Sequence, residues 1–376
     1  MKLGIRCAMY GAVLLGASGC ADAAEDRGVE SVPLAVLDLE RMPFAPDSVV
    51  APFGQVSVVA DAEGGLYFLG QTIERFWITH LDSTGRLIRR FGREGSGPGE
   101  LSGGGVLLGL GADSLVVVDT RRSVAVIYDG AGNFLGETRL PPSMFPLAAA
   151  DQAVFGFDPM EILRGGSPRV VRLSLGTPAG EVREVVLDST SPTFIAPYRR
   201  TRAGGSPPPI PAFSASGGWR AVADGVSGRI AVVGPDTAFD FTVPFEPFHR
   251  GPKELSQIRA SLTAAMQPTR GPGGKIEPVD PALAARLDTL AREHLPYTAW
   301  PGLVIDARGR VTLIAGRNDS TAVDVFQGSQ PLAHAMLDCY RPGKRISLRG
   351  RWLALQCTVG DESDPSFELR LYRLRS

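Results

Sequence analysis

The sequence predicts an all-β chain: a six-bladed β-propeller with a small α-helical insertion between its fourth and fifth blades. Three observations carry this reading. A unit of two β-hairpins recurs along the body, and its second turn moves by 47 residues from the first unit to the second. The last unit is one strand short, and a strand-like segment near the start of the chain can complete it. Between the fourth and fifth units the period-2 alternation of strands gives way to helical spacing.

The hairpins are read from alternation and turn chemistry. Gln55–Ala60 and Leu66–Leu69 flank Asp61-Ala62-Glu63-Gly64, and Arg75–Leu81 and Arg86–Phe91 flank Asp82-Ser83-Thr84-Gly85. Asp at the first turn position accepts from the following amides, and Gly at the fourth tolerates the exit geometry of a type I turn. The second unit repeats the arrangement: Val106–Leu110 and Leu115–Val118 flank Ala112-Asp113, and Val124–Tyr128 and Phe134–Thr138 flank Asp129-Gly130-Ala131-Gly132. A third unit turns at Ala150-Asp151 and Thr177-Pro178-Ala179-Gly180, a fourth at Gly217-Gly218 and Gly234-Pro235-Asp236. The fifth turns at Asp306-Ala307-Arg308-Gly309 and Gly328-Ser329. Four strands per repeat of this length is the signature of propeller blades; a β-sandwich of similar strand content is the competing reading, but it needs no regular period. The sixth unit holds Arg345–Leu348, Trp352–Cys357 and Phe367–Arg373, and Val32–Leu39 is the candidate for its fourth strand. Pairing the first and last segments in one blade closes the ring.

Ahead of the repeats, Lys2 and Arg6 precede the apolar stretch Ala8–Gly16, and Ala17-Ser18-Gly19-Cys20 ends it with small residues before a cysteine. This is the layout of a secretory signal peptide, too short to cross a hydrocarbon core of about 30 Å. The ending resembles the lipobox of bacterial lipoproteins, which implies lipidation at Cys20. The division that follows is 1–20 signal peptide, 21–31 tether and 32–376 propeller, with 252–296 as the helical insertion. Ala17 stands where that pattern usually has Leu, so cleavage after Ala21-Asp22-Ala23, releasing a soluble periplasmic protein, stays open. Ala21 after the cysteine resembles lipoproteins sent to the outer membrane. The membrane is therefore the first expected partner.

Composition narrows the function classes. The 376 residues are 21% charged and 44% hydrophobic with a formal net charge of −1, which offers no electrostatic footprint for nucleic acid. The basic residues are 35 arginines against Lys2, Lys253, Lys275 and Lys344, a skew that reads as codon bias. With Cys7 and Cys20 in the leader, Cys339 and Cys357 remain. In an oxidising compartment they can pair, and two buried thiols are the alternative.

The run Phe91-Gly92-Arg93-Glu94-Gly95-Ser96-Gly97-Pro98-Gly99-Glu100-Leu101 resembles the glycine-proline link between blades of NHL-repeat-type propellers, and six-bladed propeller lipoproteins more broadly. Leu115–Asp119 and Ser123–Asp129 match the blade pattern of that family, so the resemblance covers about residues 54–140. The run lacks the Gly-Lys-Ser/Thr ending of a Walker phosphate loop.

Two segments break the strand pattern. Pro252–Met266 places Leu255, Ile258, Leu262 and Met266 at helical spacing, and Asp280-Pro281 reads as an N-cap before Ala282–Leu295. This insertion is either a lid or partner surface at one mouth of the ring, or a flap over exposed edges. The stretch Ser189–Pro211 holds Tyr198, Arg199, Arg200 and Arg202, a candidate site for an anionic ligand such as a carboxylate or sugar acid. A solvated loop is its plain alternative.

Catalytic chemistry finds little support. His80, His249, His294 and His334 form no H-x-x-x-H spacing, no C-x-x-C pair exists, and no G-x-S-x-G elbow is present. Six-bladed propellers of the gluconolactonase and paraoxonase kind hold Ca²⁺ in the channel through Glu, Asn and Asp. That resemblance makes Asp119, Asp224 and Asn318 the candidate ligands. An Asp after a second strand equally serves the next turn. An NHL-type lyase needs histidine ligands that are not evident. Two readings follow: a lipid-anchored binding or scaffold module for a glycan, peptide or envelope protein, and a calcium-dependent lactonase-like hydrolase.

Overall fold

The computed structural model describes residues 35–46, 56–71, 76–111, 113–158, 169–176, 184–187, 212–223, 228–244, 256, 302–317, 320–339, 346–359 and 366–375, all in the unit spanning 34–376. The leader with Cys20, the turn Thr177–Gly180, the 189–211 loop and, Ser256 apart, the 252–296 insertion lie outside the described residues.

Six antiparallel blades are formed. From the innermost strand outward, blade 1 runs β3 (Ser57–Ala60), β4 (Leu66–Gln71), β5 (Phe76–Leu81), β6 (Leu87–Phe91). Blade 2 runs β7 (Val106–Gly109), β8 (Ser114–Asp119), β9 (Val124–Asp129), β10 (Phe134–Arg139). Blade 3 is β11 (Phe145–Ala150), β12 (Ala153–Phe157), β13 (Val170–Ser174), β14 (Glu184–Leu187), and blade 4 is β15 (Ala212–Ser216), β16 (Trp219–Ala223), β17 (Arg229–Val233), β18 (Ala238–Thr242). Blade 5 consists of β19 (Leu303–Ile305), β20 (Arg310–Arg317), β21 (Ser320–Gln327) and β22 (Gln330–Leu337). Blade 6 has β23 (Ser347–Arg349), β24 (Trp352–Val359) and β25 (Ser366–Leu374).

The closing strand is shifted from the sequence expectation. β2 (Leu39–Arg41), not Val32–Leu39, pairs antiparallel with β25, placing Glu40 opposite Arg373. The upstream β1 (Ala35–Val36) instead adds parallel to β22, making blade 5 five-stranded. Leu37 and Asp38 separate the two strands; the Asp38 carbonyl accepts from Arg375 N at 2.9 Å, while Leu37 N donates to His334 O at 2.8 Å. One short segment thus bridges the outer edges of blades 5 and 6.

The core explains the ring. Among the described residues there are six apolar clusters, and each lies between two consecutive blades. On β8, Leu115 and Val117 point to the blade 1 side, while Val116 and Val118 point to the blade 3 side. A strand buried on both faces reads as a continuous apolar run, which is why Leu115–Val118 shows no alternation in its letters. The blade 6–blade 1 joint holds Trp352 against Gly64. The blade 5–blade 6 joint adds a disulfide, Cys339–Cys357, with Cα atoms 5.2 Å apart.

The innermost strands leave one edge of each sheet facing a channel of about 430 Å³. Antiparallel order puts every first-to-second and third-to-fourth strand turn on one face of the ring.

Candidate functional site

On that face, a cavity of about 450 Å³ opens between blades 1 and 2, with Arg349 of blade 6 in its wall. It is built from turns. Asp61 begins the β3–β4 turn, where its Oδ1 accepts from Glu63 N at 2.8 Å and Gly65 N at 2.6 Å. Its Oδ2 meets His80 Nε2 at 2.8 Å. The β4–β5 register sets Tyr67 opposite His80, and their rings stack with centroids 3.9 Å apart. Tyr67 Oη crosses to blade 2 and donates to Gly130 O at 3.0 Å, while Arg89 Nη1 donates to Ala131 O at 2.6 Å. A dyad, an aromatic stack and two interblade hydrogen bonds therefore fix the wall.

Electrostatics follow from burial. For Asp61, burial pushes the carboxyl upward, but the His80 bond and the amides of Gly65 and Glu63 outweigh it and hold it below the usual carboxylate range. Burial, aided by the Asp61 charge, pushes the Tyr67 phenol up to about 12. Burial also lowers Arg349, against the opposing pull of Asp113, Tyr67 and Asp61. Three nitrogens in this wall are buried without a hydrogen-bond partner: His80 Nδ1, Arg89 Nε and Arg349 Nη2. Orphaned polar atoms of this kind each cost about 1–3 kcal/mol, so their clustering around a cavity points to a ligand.

The sequence-level candidates are distributed differently. Asp119 ends β8 on the opposite face and is fully buried. Its Oδ2 accepts from Ser102 N at 2.7 Å. Its Oδ1 accepts from Ser102 Oγ at 2.6 Å and from Arg121 N and Arg122 N at 3.1 Å each. This carboxylate ties the interblade link to its turn. Asp224, Asn318, Tyr198, Arg199, Arg200 and Arg202 lie outside the described residues. Among the described residues no group of three or more His, Cys, Asp or Glu is placed to hold a metal ion. The glycine-rich run closes on itself: Glu100 takes Arg93 Nε at 2.7 Å and Gly97 N at 2.8 Å, and Leu101 N donates to Arg93 O.

Sequence reasoning named His80 only among histidines without a paired-ligand spacing and passed over Arg349. Arg349 carries one retrospective signal. It ends an innermost strand where the other five innermost strands end in Ala60, Gly109, Ala150, Ser216 and Ile305.

No protein-family model matches the chain, and no curated protein matches its sequence. Solved structures resemble it. A member of the DUF4221 family from Bacteroides vulgatus has a TM-score of 0.50 at 11% identity, covering 91% of this chain and 97% of that one. A Bacteroides fragilis protein whose name marks it as exported has a TM-score of 0.49 at 12% identity, covering 91% and 96%. Regucalcin, a calcium-binding protein from Agrobacterium tumefaciens, has 0.44 at 11%, covering 90% and 94%. At 11% identity the likeness to the DUF4221 member is one of fold alone.

Proposed function

We propose that the chain is an exported, lipid-anchored propeller of the NHL-like kind, a binding or scaffold module for an envelope glycan, peptide or protein. The carrying observation is the cavity between blades 1 and 2, with three orphaned nitrogens in a wall fixed by Asp61–His80 and Tyr67. The leader layout ending in Cys20 supports the anchor, with 21–31 as tether. In the sequence, Arg199, Arg200 and Arg202 beside Tyr198, outside the described residues, remain a second candidate site for an anionic ligand. Nothing described supports the lactonase alternative: four donors engage Asp119, and its other two candidate ligands, Asp224 and Asn318, lie outside the described residues.

The test has two arms. A photoreactive residue at Ala131, on the cavity rim, is compared in living cells with one at Arg121 on the opposite face. The proposal expects a discrete adduct from the rim position alone, and equal adducts from both overturn it. Membrane fractionation of the Cys20→Ser protein checks the anchor: release to the soluble fraction is expected, and unchanged sedimentation contradicts it.

A further inference from the structure

We propose that Arg349 anchors a site for a small hydrophilic carboxylate of the sugar-acid type, where the central channel meets the cavity between blades 1 and 2. This rests on the binding-module reading and names its ligand class. Arg349 lines both spaces, and it is the sole Lys or Arg among the described residues lining the channel. Its guanidinium makes no hydrogen bond and no ion pair with any described residue, and its Nη2 is buried. Arg349 is half-buried, and its one buried guanidinium nitrogen lacks a partner at the edge of an open cavity, so an anion bound there supplies the missing acceptor.

Neighbouring acids do not fill that role. Asp61 spends its oxygens on His80, Glu63 and Gly65, and Asp113 acts on Arg349 only through the field. Asp61, Glu63, Asp113 and Asp129 in the same wall disfavour a dianion such as phosphate more than a monoanion. The planar guanidinium fork matches a carboxylate in two parallel hydrogen bonds. Hydroxyl groups suit the rest of the ligand, because the channel lining includes Ser214, Ser216 and Ser347 beside the inner-strand edges, although Ser347 Oγ and Ser214 Oγ already accept from Ala60 N and Ile305 N. A space of about 430 Å³ lies within the range of small-molecule sites.

Isothermal titration of the full chain in detergent, with D-glucuronate, D-galacturonate and neutral D-glucose, tests this. The acids bind saturably and glucose does not; Arg349→Ala weakens the acids at least about tenfold, and Arg349→Lys, which keeps charge without the fork, falls between. Arg349→Ala also melts at or above the wild-type temperature without acid, and acid raises only the wild type. Absence of acid binding, equal binding of glucose, or wild-type affinity in Arg349→Ala overturns the proposal; should the alanine variant fail to fold, Arg349→Lys and Arg349→Gln decide. Rim-specific crosslinks without acid binding would refute this ligand class and leave the binding-module reading standing.

Discussion

Replacing Cys339 and Cys357 together by alanine cuts the covalent tie between blades 5 and 6, and the structure sets the size of the effect. The two residues are 18 apart in sequence, and closing a loop of that size in the unfolded chain is worth about 3 kcal/mol in the chain-entropy model. Both side chains are buried, at 1% and 0% exposure, so the lost sulfur atoms add a small packing loss to the entropic one. For a unit of this length, about 3 kcal/mol corresponds to roughly 4 °C in melting temperature. Urea unfolding of wild type, wild type with reductant, and the double variant is the assay. The account expects the reduced protein and the double variant to unfold together, at lower urea than the oxidised protein. Two reactive thiols in denatured, unreduced protein would refute the pairing, and coincident unfolding of all three would refute its energetic role.

Three further outcomes are expected. Glu40, which locks the closing strand, is held by Arg375 and Arg373, and its carboxyl falls from 4.5 to about 2. A lowered folded value stabilises above the unfolded value and is lost on acidification, so stability should drop between pH 4.5 and 2. Acid titration of Glu40→Gln should show that drop reduced, and an unchanged profile counts against the clamp. Gly64→Ala puts a Cβ 2.5 Å from the Trp352 indole at a φ of +96°; a loss of about 3 kcal/mol in urea unfolding is expected, and a neutral result contradicts the joint. Gln152 holds a φ of +55° in the tight β11–β12 turn. Gln152→Gly should therefore raise stability by about 1 kcal/mol in the same assay, whereas Asp151→Gly should not, because its carboxylate accepts from Gly217 and Gly218.

The blades were legible because turn chemistry is local. Asp61, Asp82, Asp129 and Asp306 each accept from amides two or four residues on, and such pairs are visible in the letters. The shape of the closure was less so. β1 and β2 are two and three residues long, too short for any periodicity, and their partners lie some 300 positions away. The site was illegible for the same reason. Asp61 and His80 meet because of a strand register, 19 residues apart, and Arg349 reaches them from blade 6. Asp119 illustrates the converse: it ends the second strand rather than following it, and a place at that strand end alone cannot separate a turn-capping carboxylate from a metal ligand.

The most direct test of the central claim, that the working site lies between blades 1 and 2, is a crystal structure of the full chain with D-glucuronate. The account predicts ligand density against Arg349, at the junction of the channel and the cavity walled by Tyr67 and His80. An empty cavity with ligand on the opposite face, beside Asp119, would contradict it.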